Sequence, residues 1–253
     1  MRVAGLRVVV SGGASGLGLG VVRRLVREGA SVAVLDRDEV RGQAIASELG
    51  VFFLPADVCE EAAVATAIAE VCGRFGGLDC AVACAGVLGP GRVLGKEGPM
   101  PLSFFEKTVR VNLVGSFNLA KAAAERMQHN PPGEDGERGL ILFTASIAAF
   151  EGQIGQAAYS ASKAGVIGMT LPIARELARF GIRVAAIAPG VFHTPMIEGV
   201  PEEVYRALCA QVPFPSRLGT VDEFADAVLF AIGNRYFNGA VLRLDGALRL
   251  PPR

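Results

Sequence analysis

The sequence contains no tryptophan, only two histidines, and no excess of charge, because 25 basic residues balance 25 acidic ones among 253 residues. Without a net charge of either sign, no long-range field attracts nucleic acid or an anionic membrane surface, so neither partner is expected. Hydrophobic residues make up 51% of the chain. This excludes a disordered protein, because disorder requires low hydrophobicity and high net charge.

Paired cysteines and long apolar runs are also missing. The five cysteines are an odd number without any Cys-x-x-Cys spacing, which argues against a disulfide framework. With only His129 and His193 besides, no zinc site of familiar spacing can be assembled. No apolar run reaches the roughly 18 residues of a membrane span, and the first one is too short for a signal peptide. We expect a cytoplasmic protein with reduced thiols and no metal.

Short apolar runs alternate with segments of helical periodicity along the whole chain. The predicted strands are 7–10, 31–35, 51–56, 78–84, 140–145, 183–188 and 240–244, and the predicted helices are 17–28, 41–49, 61–75, 104–127, 157–180 and 221–231. This alternation indicates a parallel sheet covered on both faces. We predict one α/β domain over residues 1–253, a doubly wound Rossmann-type fold with seven parallel strands. Residues 88–103 and 130–139 are predicted surface loops.

A glycine-rich loop follows the first predicted strand and opens a helix. It contains Gly12, Ser15, Gly16, Leu17 and Gly18. Glycines at such a turn let the backbone approach a pyrophosphate, whose charge lies against the helix N-terminus. Glycine-rich turns are common, so the position of this one in a βαβ unit carries the prediction of a dinucleotide site.

Asp36 ends the second predicted strand, where an acidic residue hydrogen-bonds the ribose hydroxyls of NAD. A carboxylate there would repel a 2′-phosphate, so NAD(H) is predicted over NADP(H). Arg37 weakens this prediction because an arginine could accept that phosphate, and a solvated aspartate at a strand end is the alternative. Asp57 and Val58 are placed to touch the adenine, although Asp57 could equally cap a helix.

Tyr159 and Lys163 are four residues apart on a predicted helix and therefore share one face. Ser146 follows the fifth predicted strand, at the carboxyl edge where ligands bind in open α/β sheets. Together they fit a site for carbonyl–alcohol redox chemistry. Ser146 would hold the substrate oxygen and Tyr159 would exchange the proton. The Lys163 ammonium would lower the tyrosine pKa from about 10 and hydrogen-bond the nicotinamide ribose, while Asn112 could hold a water that connects Lys163 to solvent.

Each of these side chains also has an ordinary structural alternative. A tyrosine on an amphipathic helix is usually half-buried packing, and a serine after a strand is usually a cap or part of a turn. Asn112 could simply satisfy a buried backbone group. The joint spacing downstream of a nucleotide-type loop favours the catalytic interpretation.

The order of these motifs resembles the short-chain dehydrogenase/reductase family over essentially the whole chain. The resemblance rests on the glycine-rich loop, Ala85-Gly86, Asn112, Ser146, Tyr159, Lys163 and Pro189-Gly190, and on residues 144–153, 156–159, 168–175, 211–219 and 242–246. These segments are similar to a subgroup that uses NAD(H), acts on short-chain 3-hydroxyacyl-CoA, accepts other secondary alcohols including steroids, and forms homotetramers.

The resemblance implies particular site residues. The cofactor would contact Gly12, Ser15, Gly16, Leu17, Gly18, Asp36, Asp57, Val58, Cys84, Ala85, Gly86, Tyr159, Lys163, Pro189 and Gly190, with Phe192 and Thr194 closing over the nicotinamide carboxamide. Gln153 would be a second polar substrate contact beside Ser146 and Tyr159. Ala83 stands where the family often has asparagine, which puts the structural role of that side chain in doubt.

The substrate loop is placed at about 191–217. Its apolar residues are Phe192, Met196, Ile197, Val200 and Phe214. They suggest an apolar pocket, although a mobile lid would need apolar residues too. The length of the acyl chain and the physiological direction of the reaction stay open.

The implied function is NAD-dependent interconversion of a secondary alcohol and a ketone, with short-chain 3-hydroxyacyl-CoA and 3-oxoacyl-CoA as the expected pair. One alternative is an NADPH-dependent 3-oxoacyl-carrier-protein reductase, against which Asp36 argues. The other is a non-catalytic dinucleotide-binding module, which would usually lack the tyrosine or the lysine.

Overall fold

Parallel strands form a central sheet in the computed structural model, which describes residues 1–96, 98–194 and 200–252. In these residues the strands are β1 (Arg7–Ser11), β2 (Ser31–Asp36), β3 (Phe52–Pro55), β4 (Cys80–Ala83), β5 (Leu94–Gly95), β6 (Gly98–Pro99), β7 (Gly139–Thr144), β8 (Ile182–Pro189) and β9 (Val241–Leu244). The sheet has the order β3-β2-β1-β4-β7-β8-β9, with every neighbouring pair parallel. The predicted seven-stranded doubly wound sheet is confirmed.

Helices connect these strands. In the same described residues they are α1 (Gly16–Arg27), α2 (Glu39–Leu49), α3 (Glu61–Phe75), α4 (Leu102–Val109), α5 (Gly115–Met127), α6 (Ala157–Leu177), α7 (Glu202–Ala210) and α8 (Val221–Gly233). Because strand-to-strand crossovers through helices are right-handed, helices fall on both faces of the sheet.

The two faces of the sheet bury two separate hydrophobic clusters. Val9 belongs to the cluster that includes Ile68 of α3 and Leu119 of α5. Its neighbour Val8 belongs to the other cluster, with Phe224 of α8. Successive side chains of a strand point to opposite faces, so a sheet covered on both sides needs consecutive apolar residues. This is why the strands read as continuous apolar runs in the sequence.

The strand order reverses between β1 and β4, whose neighbours lead to opposite edges of the sheet. In open α/β sheets, ligands bind in the crevice at such a point, outside the carboxyl ends of the strands. The segments after β1, β4, β7 and β8 therefore meet at one edge. All the predicted catalytic and nucleotide-loop residues lie on these segments or on the helices that they lead into.

The predicted helix 104–127 is instead divided by a π-helical turn, Arg110–Val114, between α4 and α5. Turns of this type insert one residue into a helix and are frequent at functional sites. Asn112 lies in this turn and is completely buried. Residue periodicity did not reveal the turn, because a single extra residue leaves the apolar pattern on both sides intact.

Two further segments differ from the prediction. The predicted loop 88–103 contains the short antiparallel pair β5–β6 and ends in the first residues of α4. The predicted substrate loop contains α7, which has Pro201 at its N-cap and two glutamates in its first turn. Acidic residues in the first turn are a favourable helix-start signal that the sequence analysis missed. Met196 and Ile197, predicted to line an apolar pocket, lie outside the described residues.

No helix in the described part of the chain is both long and apolar enough to cross a membrane. The same residues contain no group of three or more His, Cys, Asp or Glu side chains arranged to hold a metal ion.

Arg183 is buried near the amino end of β8, and its side chain connects that strand to the end of α8. Its Nε donates to Glu137 at 2.7 Å, and each of these two side chains is only 7% exposed. Its remaining nitrogens donate to main-chain oxygens of Ala231, Ile232, Asn234 and Phe237 at 2.8–3.2 Å. Carbonyls at a helix C-terminus lack partners inside the helix, so this guanidinium caps the end of α8.

Arg183→Met should lower the free energy of unfolding by about 3–5 kcal/mol, because it leaves several buried carbonyls without a donor and the buried Glu137 carboxylate with the N-terminal ammonium as its remaining ionic partner. Urea denaturation followed by circular dichroism measures this loss. The matched control is Arg23→Met, which removes a pair with Glu48 in which both side chains are about half exposed and should cost less than about 1 kcal/mol. Equal losses in the two variants would contradict the assignment of Arg183 as a buried cap.

Candidate active site

The glycine-rich loop packs directly against the segment that follows β4. Gly12 has a φ of +67°, and a Cβ atom there would lie 2.6 Å from the backbone nitrogen of Ala85. A Cβ on Gly18 would collide with the carbonyl oxygen of Gly12. Only glycine fits at these two positions, because the loop runs close to Ala85 and turns tightly on itself.

The first turn of α1 offers an anion site. Ser15 is the N-cap residue, but its side chain makes no capping hydrogen bond, and the first turn of this fully described helix carries no acidic side chain. Main-chain N–H groups of a first helical turn have no partner inside the helix, and they carry the positive end of the helix dipole. Gly16, Leu17 and Gly18 thus present amides that fit the pyrophosphate of a dinucleotide.

The Asp36 carboxylate is fixed beside this loop. Its two oxygens accept hydrogen bonds of 3.1 Å from the backbone N–H groups of Ala14 and Asp38. Each oxygen keeps a further lone pair, so the carboxylate can still accept from ribose hydroxyls. Arg37 beside it is exposed.

Asp57 lies after β3, in the position predicted to touch the adenine. Its side chain accepts a hydrogen bond of 2.8 Å from the backbone N–H of Cys59. This bond holds the pKa of Asp57 below its ordinary value. This contact closes a local turn ahead of α3 and does not cap that helix, whose N-cap residue is Glu60, and the carboxylate is exposed. Val58 is buried, and its carbonyl accepts from the Asn118 amide at 3.0 Å.

Ser146 lies at the carboxyl end of β7 and faces the helix that carries Tyr159. Its hydroxyl oxygen accepts a hydrogen bond of 3.1 Å from the backbone N–H of Ala148. That bond leaves the hydroxyl proton free to be donated. Tyr159 and Lys163 are on the first two turns of α6, one turn apart and on one face, as predicted. The predicted Ser146, Tyr159 and Lys163 side chains are thus brought together at the sheet edge.

Lys163 is 5% exposed. Its ammonium donates to the main-chain oxygen of Thr144 at 2.7 Å and lies 5.8 Å from the centre of the Tyr159 ring. Burial lowers the pKa of Lys163 from 10.5 to about 8, because an apolar environment disfavours the charged form. The lysine is therefore still largely protonated at neutral pH, with its charge directed to the end of β7.

The pKa of Tyr159 is raised, which differs from the predicted lowering by Lys163. Burial of the phenol is the main cause, and the Ser146 hydroxyl acts in the opposite direction. The ammonium is bound to the Thr144 carbonyl and lies over the Tyr159 ring, and its charge does not offset the effect of burial on the phenol pKa. Tyr159 is a protonated phenol at neutral pH and can act as an acid.

Asn112 connects α6 to the segment after β4 by side-chain hydrogen bonds. Its amide oxygen accepts from the backbone N–H of Val87 at 2.8 Å, and its amide nitrogen donates to the Val87 carbonyl at 2.9 Å and the Ser162 hydroxyl at 3.0 Å. Ser162 in turn donates to the main-chain oxygen of Tyr159 at 2.7 Å. Both amide hydrogens are thus used within the protein. The side chain satisfies backbone groups, as the structural alternative proposed, and thereby positions Tyr159.

Of three residues predicted to surround the reacting centre, Phe192 and Gln153 make other side-chain contacts. The ring of Phe192 is buried in an edge-to-face contact with Phe224 at 6.1 Å, so only its backbone can face a nicotinamide. The Thr194 side chain faces the glycine-rich loop, since it would lie 3.9 Å from a Cβ atom placed on Gly16. Gln153 accepts from the Gln156 amide at 3.1 Å and donates to the Pro251 carbonyl at 3.2 Å. It therefore holds the C-terminal segment.

Sequence reasoning missed two polar contacts of the site. Thr144 supplies the carbonyl that binds Lys163, and its hydroxyl lies 3.4 Å from the Cys84 sulfur. Burial raises the pKa of that thiol to about 11, so Cys84 is neutral. Ser162, within the Tyr159–Lys163 turn, is completely buried; a small polar residue on the inner face was its only signal. Ala83 fills a core position in β4.

Comparisons with known proteins agree with this geometry. The family model for short chain dehydrogenase matches residues 7–204. The chain is 51% identical to the 3-hydroxyacyl-CoA dehydrogenase type-2 of Homo sapiens and 47% identical to that of Drosophila melanogaster, over 99% and 96% of this chain and 97% of each relative. The crystal structure of 3-hydroxyacyl-CoA dehydrogenase type-2 from Mycobacterium avium matches with a TM-score of 0.95, at 46% identity, over 98% of both chains.

Tyr159→Phe should reduce the turnover rate by a factor of at least about 100. Its affinity for NADH should change little, because the phenylalanine ring keeps the packing of the tyrosine ring. Steady-state rates and fluorescence titration with NADH measure the two effects. Tyr236→Phe is the matched control, since Tyr236 is fully exposed and lies before the amino end of β9. Near-normal rates in Tyr159→Phe would refute the assignment of proton transfer to this phenol.

Lys163 should make stability depend on pH in a defined window. The folded-state pKa near 8 lies below the unfolded value, so the unfolded chain binds more protons and stability rises as pH increases through that window. Relative to Lys163→Met, the wild type should gain about 2 kcal/mol between about pH 7.5 and about pH 9.5. Urea unfolding of both proteins at each pH measures this gain, because other titrating groups cancel in the difference. A pH-independent difference would show that Lys163 keeps its ordinary pKa.

Proposed function

This chain belongs to the short-chain dehydrogenase family, and we propose that it is an NAD-dependent enzyme that interconverts short-chain 3-hydroxyacyl-CoA and 3-oxoacyl-CoA. It is an oxidoreductase that acts on a small-molecule substrate. The observation that carries the proposal is the meeting of Ser146, Tyr159 and Lys163 at the sheet edge beside the glycine-rich loop. The substrate class is supported by the names of the relatives of about 50% identity.

The chemistry of the site follows from the state of its side chains. The free hydroxyl proton of Ser146 would bind the carbonyl oxygen of a 3-oxoacyl group. The protonated phenol of Tyr159 would donate its proton to that oxygen as negative charge develops on it. A bound nicotinamide supplies the hydride in this direction and accepts it in the other. Alcohol oxidation requires the phenolate, so its rate should increase with pH.

Lys163 contributes by charge and position. Its ammonium, held by the Thr144 carbonyl, lies near enough to favour negative charge on the phenol oxygen as the proton leaves. It would also donate to the ribose of a nicotinamide nucleotide, as the family resemblance implies. Asn112 and Ser162 keep the first turn of α6 in place, so the phenol is oriented before substrate arrives.

NAD is proposed over NADP because of the Asp36 carboxylate. A 2′-phosphate at the ribose would lie against this charge, which two backbone N–H groups hold in place. Repulsion between like charges at short range disfavours that ligand. Ribose hydroxyls, in contrast, can donate to the same oxygens.

The proposal extends to assembly and location. We propose that residues 1–253 form one NAD-binding domain, that the enzyme serves fatty acid metabolism in the cytoplasm, and that it is a homotetramer. Exposed apolar side chains on α4, the π-helical turn and α5 support self-association. Leu102, Val114 and Phe117 are 70%, 42% and 46% exposed, and exposed apolar side chains mark an association surface where they form a contiguous patch.

The test is the initial rate of acetoacetyl-CoA reduction with NADH and with NADPH, in the wild type and two variants. The wild type should turn over rapidly with NADH and prefer it to NADPH. Asp36→Ala should narrow that preference by about tenfold, equivalent to about 1.4 kcal/mol. Asp38→Ala is the matched control, because Asp38 caps α2 through the Arg41 N–H and has no proposed cofactor contact.

The other outcomes lead to different conclusions. A wild-type preference for NADPH would favour the 3-oxoacyl-carrier-protein reductase. An unchanged ratio in Asp36→Ala would mean that this carboxylate only binds the loop. Binding of both cofactors without any reduction of acetoacetyl-CoA would refute the proposed substrate.

A further inference from the structure

Four chain segments meet in a small apolar cluster next to Ser146, apart from the two clusters that cover the sheet. Its buried members are Ile147, Val212 and Leu248, with Val191 and Leu250 packed against them. They come from the segment after β7, the segment after β8, the end of the substrate loop and the C-terminal segment. Apolar contacts are non-directional, so polar contacts are needed to fix the orientation of these segments.

Arg243, in β9, provides the strongest of those polar contacts. Its two terminal nitrogens donate to the two carboxylate oxygens of Glu151, each at 2.9 Å, and its Nε donates to Asp245 at 2.9 Å. The guanidinium also lies 4.7 Å from the centre of the Phe150 ring. A two-pronged arginine–carboxylate contact fixes orientation as well as distance.

Glu151 transmits this constraint to Ser146 through the backbone. The Glu151 N–H donates to the carbonyl of Ile147 at 3.0 Å. Ser146 caps the same short turn, since the Ala148 N–H donates to its hydroxyl oxygen. The position of the Ser146 hydroxyl is thus linked to Arg243 by hydrogen bonds that are joined through the covalent structure of Glu151 and of the Ile147–Ala148 backbone.

The C-terminal segment is held by the same group of side chains. Asp245 accepts from Arg249 at 3.0 Å and from the backbone N–H of Ala247 at 3.1 Å. Farther along, the Ile154 N–H donates to the carbonyl of Pro252 at 3.0 Å, next to the Gln153 contact with Pro251. The segment after Ser146 is therefore attached to β9 through Glu151, and to the C-terminal residues through Gln153 and Ile154.

We propose that Arg243 is a positioning residue of the active site. By binding Glu151, it holds the Ser146 hydroxyl at the position from which the substrate oxygen can receive the proton of Tyr159. It does not touch the substrate. The inference rests on the proposed function, since it concerns the same reacting centre. A displacement of about 1 Å at a reacting group can cost up to about a hundredfold in rate.

The alternative is an ordinary ion pair that affects only stability. Arg243 and Glu151 are 24% and 29% exposed, and exposed pairs often contribute less than about 1 kcal/mol. A control with the same geometry exists elsewhere in the chain. Arg235 makes a two-pronged contact with Glu134 at 2.7 and 2.8 Å and a third bond to Asp135 at 2.8 Å. Its partners precede β7, at the amino edge of the sheet, opposite the active site.

The experiment compares Arg243→Gln, Arg243→Lys and Arg235→Gln with the wild type. We expect kcat/KM for acetoacetyl-CoA to fall about tenfold or more in Arg243→Gln, mainly through kcat. Arg243→Lys keeps the positive charge but cannot make the two-pronged contact with Glu151. Its kcat/KM should lie between those of the wild type and Arg243→Gln. The dissociation constant for NADH should stay within about twofold in all variants, and Arg235→Gln should keep the wild-type rate.

Hydrogen exchange gives a readout that needs no substrate. Amides of residues 147–154 should exchange faster in Arg243→Gln than in the wild type or in Arg235→Gln. Unchanged exchange in this segment, or an unchanged kcat/KM in the folded variant, would overturn the positioning role. A wild type that fails to reduce acetoacetyl-CoA would refute the proposed function instead, and the exchange measurement would still decide whether Arg243 holds the Ser146 segment.

Discussion

Covering a parallel sheet on both faces is the constraint on which the rest of this structure depends. The strands have no solvent-facing side, so their side chains must be apolar and their backbone groups must be paired within the sheet. Polar side chains with chemical roles can then lie only where strands end. Asp36, Ser146 and Thr144 all lie at or just after the carboxyl end of a strand, and helices α1 and α6 begin at the same edge.

Burial at that edge also sets the electrostatics of the site. Lys163 is enclosed, so its ammonium is less stable than in water and its pKa falls to about 8. Tyr159 is enclosed too, and its pKa rises. Both shifts favour the neutral form of the group, and they leave a protonated phenol next to a lysine that is charged at neutral pH. The hydrogen bond to Thr144 and the contacts of Asn112 with Ser162 keep these groups in place, so little reorganisation is needed when a ligand binds.

The prediction succeeded where one residue pattern has one structural solution. Each predicted strand of the sheet is present, because runs such as Val8-Val9-Val10 fit only a strand buried on both sides. The spacing of Tyr159 and Lys163 fixed their shared face once the helix was predicted. The prediction failed where the structure depends on residues that are distant in the sequence. The π-helical turn at Asn112 and the raised pKa of Tyr159 both depend on what packs against them, which a local pattern does not contain.

The residues by themselves determined the strand and helix order, the glycine-rich turn, the acidic end of β2 and the candidate catalytic side chains. These are local properties, decided by backbone sterics, side-chain periodicity and charge. Tertiary structure alone decided that the ring of Phe192 packs in the core, that Gln153 binds the C-terminal segment, and that Arg243 meets Glu151 beside Ser146. Such contacts join residues up to about a hundred positions apart, and their existence depends on how separate elements pack, since chain entropy allows many partners until the fold brings one pair together.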